Sequence, residues 1–157
     1  ESTAPITRLR RLRTDRDPRI RALATAQLWR TDSAQVSEEE LAARLGEIDK
    51  LPAGLRGGAA LVLGQALASR QEPHRAAMWL LRLPLVEERP HRLAARALHD
   101  AAQALERVGQ QGEAGLLYHE LVADYPSTPE ARDAGARLEA RRQEAANSDG
   151  SDPSDAR

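Results

Sequence analysis

Apolar residues recur along this chain at helical spacing, in runs separated by polar and turn-forming residues. In residues 108–132 the small residue Gly109 precedes an apolar run with a period near 3.6, and Pro126 follows it. This arrangement predicts a helix over residues 111–124. The chain has no useful run of the period-two alternation that strands require. The predicted fold class is therefore all-α.

Two helix starts are marked by capping residues. Asp17 followed by Pro18 is an N-cap with proline at the first helical position, and Ser37 with Glu40 makes a capping box. The first predicts a helix to about residue 30, with one face formed by Ile20, Leu23, Ala24 and Leu28. The second predicts a helix to about residue 51, with one face formed by Leu41, Leu45 and Ile48.

The rest of the chain is predicted to continue as helices joined by short turns. They cover about residues 56–70, 73–83, 91–108, 111–124 and 128–143. Short connections make neighbouring helices antiparallel, which predicts a row of helical hairpins. Residues 1–16 are expected to be a basic arm or short helix, and residues 17–144 the helical repeat domain. Residues 145–157 have no apolar residue except Ala, so they are expected to form a disordered acidic tail.

An internal repeat relates residues 60–83 to the stretch 38 residues later. The positions Ala60, Leu63, Gly64, Leu67, Ala76, Leu80 and Leu83 match Leu98, Ala101, Ala102, Leu105, Ala114, Tyr118 and Leu121. Gly64 and Ala102 are expected where the second helix of each hairpin crosses the first, with Ala76 and Ala114 facing them. Small side chains at such a crossing let helix axes approach to about 8 Å.

The repeat resembles the tetratricopeptide repeat (TPR), a helical hairpin of about 34 residues. Residues 95–128 would form one full unit, and they keep Gly109 near the turn, Ala114, Tyr118 and the closing Pro126. The resemblance implies a right-handed superhelical array of antiparallel hairpins, a TPR-like α-solenoid. The segment after Pro126 resembles the polar capping helix that ends such arrays.

The chain also departs from the TPR pattern. Ala60 stands where the family prefers Trp, and four extra residues follow that unit around PLVEERP. Residues 18–51 match poorly and are interpreted as a degenerate repeat. The phrase ADYPSTPEARDAG is similar to repeat ends in bacterial cell-envelope proteins of this family, and that likeness favours an exported, periplasmic location over a cytoplasmic one.

Charge and composition narrow the function classes. A formal net charge of −1 argues against a protein that neutralises phosphates over its whole surface. The absence of cysteine excludes disulfide and thiolate chemistry and leaves both exported and cytoplasmic locations open. Because the chain begins at Glu1 rather than Met, a signal peptide, anchor or further domain is expected upstream, although an artificial boundary would look the same. Its longest apolar run is too short for membrane insertion.

The four histidines do not form a recognisable catalytic or metal motif. They are His74, His91, His99 and His119, and none lies four residues from another. Glu88 and His91 have a spacing found in carboxylate-bridged metal sites, but Pro90 lies between them and no second copy exists. We therefore expect the histidines to lie on the surface. We expect the protein to have no catalytic activity and to bind neither a metal nor a cofactor.

The N-terminal segment is strongly basic, with seven Arg and two Asp between residues 8 and 21. One interpretation is a nucleic-acid or acidic-membrane contact made by a short amphipathic helix. The other is a solvated helix that docks Ile6, Leu9 and Leu12 on the array. The second is favoured because no aromatic residues or nucleic-acid motif accompany the charge, so no nucleic-acid partner is expected.

The TPR resemblance implies that the first helix of each unit lines a concave surface. The residues selected by the family's offsets are Leu61, Gln65, Ala68, Ser69, Arg96, His99, Gln103, Glu106 and Arg107. Exposed Arg in such a surface suits carboxylates or an acidic peptide segment. The predicted groove for a partner therefore consists of Gln65, Ser69, Arg96, His99, Gln103, Glu106 and Arg107.

Three functions are compatible with these features. The first is a non-catalytic scaffold or adaptor that binds a peptide or protein partner on its concave face. The second is a structural or self-associating module of a larger cell-envelope protein, which would form homo-oligomers. The third is an enzyme or nucleic-acid binder that uses the Arg-rich arm. The sequence favours the first.

Overall fold

The computed structural model of the chain describes residues 4–32, 36–70, 72–86 and 91–149. Within these ranges there are eight α-helices and no strand, which confirms the all-α class. In chain order the helices are α1 (Ala4–Leu12), α2 (Pro18–Asp32), α3 (Glu38–Lys50), α4 (Ala53–Ser69), α5 (Pro73–Val86), α6 (His91–Arg107), α7 (Gln111–Asp124) and α8 (Pro129–Asp149). None of the described helices is both long and apolar enough to cross a bilayer.

Helix boundaries follow the predicted signals closely at two places. Ser37 caps α3, because its side chain accepts a hydrogen bond from the backbone N–H of Glu40. Gly109 ends α6 with a positive φ of 77°, a conformation that favours glycine, and the N–H of Gln110 returns to the carbonyl of Leu105 at 3.1 Å. This turn brings α7 back against α6, as the hairpin prediction requires.

The helices pack in an alternating order. Each helix from α3 onwards contacts the next one, and α2, α4, α6 and α8 also contact one another in succession. The largest fully buried side chains lie along these contacts: Ile48, Val62, Leu63, Leu67, Leu80, Leu83, Leu98, Tyr118 and Leu121. This order fits stacked hairpins, while the right-handed superhelical path stays a prediction.

Helices α4 and α5 cross closely at Gly64. A Cβ added to Gly64 would be 2.5 Å from Cγ of Leu80 and 3.2 Å from its backbone nitrogen. The prediction of a small residue at this crossing is therefore confirmed at Gly64. Its nearest neighbour is Leu80, one turn beyond the buried Ala76 that the repeat placed opposite it.

The predicted buried face of α2 is wrong at two of its four positions. Ile20 is 38% exposed and Leu23 is 44% exposed, while Ala24, Ala26 and Trp29 are buried. Helix α2 packs on both α1 and α4, so its buried positions are spread over more than one face and do not follow the single predicted stripe.

The interpretation of residues 18–51 as a hairpin also needs correction. No Cα of α2 lies within 8 Å of a Cα of α3 among the described residues. The two helices meet through long side chains instead, with the Arg44 guanidinium 5.6 Å from the centre of the Trp29 ring. An arginine between the helices keeps them apart, so α2 pairs more closely with α4.

The N-terminal segment forms the short helix given as one of its two predicted forms, and the C-terminal end is more helical than predicted. Helix α1 contacts α2, and Ile6, Leu9 and Leu12 are half-buried, as the docked interpretation of this segment expects. Helix α8 extends past residue 143 to Asp149, so the first five residues of the predicted disordered tail are helical. Residues 150–157 lie outside the described part of the chain.

Candidate functional site

A cleft of about 320 Å³ lies where α2, α4 and α6 meet. It is lined by Arg30, Gln65, Ala68, Ser69, Arg96, Asp100, Gln103 and Arg107. Five of the seven predicted groove residues belong to this lining, and the exceptions are His99 and Glu106. Arg30 and Asp100 line the cleft as well, although the sequence analysis did not select them.

Helix α4 forms the middle of the cleft with small side chains. Ala68 and Ser69 stand between the arginine of α2 and those of α6. The Ser69 hydroxyl donates to the carbonyl oxygen of Gln65 at 3.0 Å, so it lies folded against its own helix. Short residues at these two positions therefore leave open space between α2 and α6.

One acidic residue of the cleft is neutralised within it. Asp100 accepts hydrogen bonds from Nε2 of Gln65 at 2.7 Å and from Nε of Arg96 at 3.2 Å. Burial opposes ionisation of Asp100, but His99, Gln65 and Arg96 outweigh it and hold the Asp100 pKa below its usual value. The guanidinium group of Arg96 is thereby paired with Asp100. It also lies 3.9 Å from the carboxylate of Glu130.

Two arginines of the cleft have no such partner. Arg30 and Arg107 are exposed, and no carboxylate of the described residues forms an ion pair with either of them. They approach the cleft from different helices, α2 and α6, on either side of α4. Guanidinium groups beside the side-chain amides of Gln65 and Gln103 make a donor-rich surface that suits a carboxylate or phosphate group.

His99 is not a surface residue, contrary to the sequence-based expectation. It is 9% exposed, and its Nε2 lies 2.7 Å from Oδ2 of Asp133 on α8. Its Nδ1 is 3.7 Å from Oδ1 of Asp100 and has no hydrogen-bond partner. The ring therefore joins α6 to α8 beneath the surface, and it is not free to bind an anion in the cleft.

This position raises the pKa of His99. The carboxylate of Asp100 and then that of Asp133 favour the imidazolium form, while burial opposes it. A histidine whose pKa is higher in the folded state contributes stability that is fully present below its unfolded pKa. That contribution is lost as the pH rises through the folded pKa.

We therefore expect the stability contribution of His99 to depend on pH. The difference in unfolding free energy between the parent and His99→Gln should be largest below the ordinary pKa of 6.5 and should shrink at higher pH. Urea denaturation of both proteins at about pH 5.5 and about pH 8.5 measures the difference. An equal difference at the two pH values would contradict the ion pairing of His99 with Asp100 and Asp133.

Glu106 likewise belongs to an internal cluster at the junction of α6, α7 and α8. Its carboxylate accepts hydrogen bonds from the Tyr118 hydroxyl at 3.0 Å and from Arg137 and Arg141, each at 2.8 Å. Burial, and then the hydrogen bond to Glu106, raises the pKa of Tyr118 to about 12. Both guanidinium groups also lie within 6 Å of the Tyr118 ring centre, at 5.8 and 5.6 Å. Glu106 thus holds helices together and does not line the cleft.

Within the described ranges, no group of three His, Asp or Glu side chains is arranged so that it could hold a metal ion. Of the Glu88–His91 pair considered above, Glu88 lies outside these ranges and the side chain of His91 is not described.

Comparisons with family models, curated proteins and solved structures gave no significant match for this chain. The TPR resemblance consequently stays a prediction, and the cleft must be interpreted from its own residues.

Proposed function

We propose that this chain is a non-catalytic scaffold that binds an anionic segment of a peptide or protein partner in the cleft between α2, α4 and α6. In this proposal the helices form a TPR-like α-solenoid, and the cleft is part of its concave face. The partner's carboxylates occupy the space above Ala68 and Ser69. No catalytic group or cofactor is required for this function.

The observation that carries the proposal is the pair of arginines without carboxylate partners on opposite sides of α4. Most described arginines after residue 36 form ion pairs with nearby carboxylates: Arg44, Arg70, Arg75, Arg82, Arg96, Arg137, Arg141 and Arg142. Other described arginines also lack an ion pair, but Arg30 and Arg107 are the two unpaired arginines that line this cleft together. An incoming anion would supply the missing charge.

A peptide-selection experiment tests the proposal. A random peptide library is selected on the parent protein, and the affinity of the recovered peptides is then measured by fluorescence anisotropy. We expect acidic peptides to be enriched. Arg30→Glu combined with Arg107→Glu should weaken their binding by about tenfold or more, since repulsion replaces attraction at two points.

The matched control reverses two exposed arginines outside the cleft, Arg132→Glu and Arg142→Glu. This variant has the same net charge as the cleft variant, so it corrects for long-range electrostatics. It should bind the selected peptides as the parent does. Selected peptides without acidic bias, or equal losses in both variants, would count against the cleft.

A second candidate function is self-association through α5. On this helix Met78 is 71% exposed and Leu85 is 72% exposed, and the half-buried Leu81 lies between them. Their spacings of three and four residues form a short apolar seam of the kind that packs against another helix. Light scattering over a range of concentrations would reveal a dimer, and Met78→Glu with Leu85→Glu should dissociate it.

A further inference from the structure

The arginines of the first thirty residues are arranged unlike those of the remaining chain. This segment contains eight Arg and three acidic residues, whereas the other 127 residues contain 15 basic and 21 acidic side chains. No carboxylate of the described residues forms an ion pair with any of these arginines: Arg8, Arg10, Arg11, Arg13, Arg16, Arg19, Arg21 and Arg30. A protein of nearly zero net charge therefore has one strongly cationic end.

The two acidic residues of this end that lie within the described chain, Asp15 and Asp17, are already engaged with the backbone. Asp15 accepts a hydrogen bond from the N–H of Asp17 at 2.9 Å, and Asp17 accepts one from the N–H of Arg19 at 2.8 Å. The second bond caps the N-terminus of α2. Both carboxylates thus stabilise the turn between α1 and α2, and neither forms an ion pair with the neighbouring guanidinium groups.

Helix α1 packs on α2 and exposes its arginines to solvent. Its apolar residues Ile6, Leu9 and Leu12 are half-buried against α2, while Arg8 and Arg11 are exposed. Arg10 and Arg13 are exposed as well. The sequence presented docking and anion contact as alternatives for this segment. In the folded chain the apolar face docks and the basic face remains available.

We propose that the exposed arginines of α1 and the following turn bind an anionic phospholipid surface. A cluster of exposed arginines on a short surface helix is typical of electrostatic, headgroup-level contacts with anionic lipids. The exposed Ile20 and Leu23 follow Arg19 on α2, so this end also offers aliphatic side chains. The contact is reversible and electrostatic and involves no inserted helix.

The composition of the same end argues against a nucleic-acid strand as the ligand. Single-stranded nucleic acids are held by aromatic side chains that stack on bases, and residues 1–28 contain no Phe, Tyr or Trp. Exposed aliphatic side chains gain nothing against a phosphate backbone, whereas the interfacial region of a bilayer accepts them. The charge and the aliphatic residues together therefore favour lipid.

Vesicle co-sedimentation with the full chain tests this assignment. Vesicles of phosphatidylcholine alone are compared with vesicles of equal parts phosphatidylcholine and phosphatidylglycerol. We expect binding only to the anionic vesicles. Binding should be strong at about 0.1 M salt and lost at about 1 M, where the Debye length falls from about 10 Å to about 3 Å.

The decisive variant replaces Arg8, Arg10, Arg11 and Arg13 by Gln. It should bind anionic vesicles at least about tenfold more weakly, with unchanged helicity and melting because these side chains are exposed. The control removes the same charge elsewhere, by Gln at these four exposed positions: Lys50, Arg92, Arg132 and Arg142. It should keep most of the binding.

Three results would overturn the proposal. These are equal binding to both vesicle types, equal loss in the two variants, and tighter binding of the parent to a mixed-sequence single-stranded oligonucleotide than to anionic vesicles. The test is independent of the cleft, because the α1 variant leaves Arg30 and Arg107 in place.

Discussion

Gly64→Ala is expected to lower the free energy of unfolding by about 2–3 kcal/mol, near the upper end of the usual cost of overpacking a core. The added Cβ would lie 2.5 Å from Cγ of Leu80, and the backbone nitrogen of Leu80 is only 3.2 Å away. Because the clash is with the base of the side chain and with backbone, Leu80 cannot relieve it by rotating its tip. Helix α5 would have to move away from α4.

Gly58→Ala is the matched control on the same helix. A Cβ at Gly58 meets no atom within 4 Å, so only the helix propensity changes, and stability should rise by about 0.5–1 kcal/mol. Urea denaturation followed by circular dichroism measures both variants. A stabilising effect of Gly64→Ala would show that α4 and α5 do not cross at this residue.

Glu106→Ala is expected to destabilise the protein by about 2 kcal/mol. The substitution removes the shared acceptor of Tyr118, Arg137 and Arg141 and leaves two guanidinium groups close together at the junction of three helices. The guanidinium groups are partly solvated, with 37% and 25% of their side chains exposed, which keeps the cost below that of a fully buried pair.

Glu139→Ala provides the comparison on α8. Glu139 is 58% exposed and lies 3.6 Å from Arg142, itself 71% exposed, so its loss should change stability by less than about 0.5 kcal/mol. Denaturation curves that put the two variants within error of each other would mean that Glu106 does not hold the α6, α7 and α8 junction together.

Much of the helical layout can be predicted from local signals in the sequence. The Ser37 cap, the Gly109 turn and the bounds of α7 depend on residues within a few positions of one another, and the structure agrees with each of them. The small residue at the α4–α5 crossing was also predictable, because the internal repeat marks it. These features need no knowledge of which helix faces which.

The error at His99 and Glu106 has a different origin. The TPR offsets predict an exposed position for both residues, but α8 packs over them. His99 pairs with Asp133 and Glu106 pairs with Arg137, at separations of 34 and 31 residues. The sequence does contain charged residues on α8 that are complementary to those on α6. The periodicity of a single helix cannot show that such residues pair, because they lie on two different helices.

Arg30 was missed because it lies outside the recognised repeat. The sequence analysis predicted that Ile20 and Leu23 lie on the buried face of α2. Arg30 follows Leu23 by seven residues, or about two helical turns, so the same prediction would have put Arg30 on the buried face. Ala24, Ala26 and Trp29 are buried instead, and the face with Ile20 and Leu23 is exposed. The exposure of Leu23 and the position of Arg30 in the cleft are therefore two consequences of one change in orientation.

The central claim is that a partner's anionic segment occupies the cleft between α2, α4 and α6. Titration of the ¹⁵N-labelled protein with a selected acidic peptide, followed by amide chemical shifts, tests this claim most directly. The account predicts the largest shifts at the side-chain amides of Gln65 and Gln103 and the backbone amides of Ser69 and Arg107. Shifts concentrated at Met78, Leu81 and Leu85 of α5 would contradict it and would favour the apolar seam as the interaction surface.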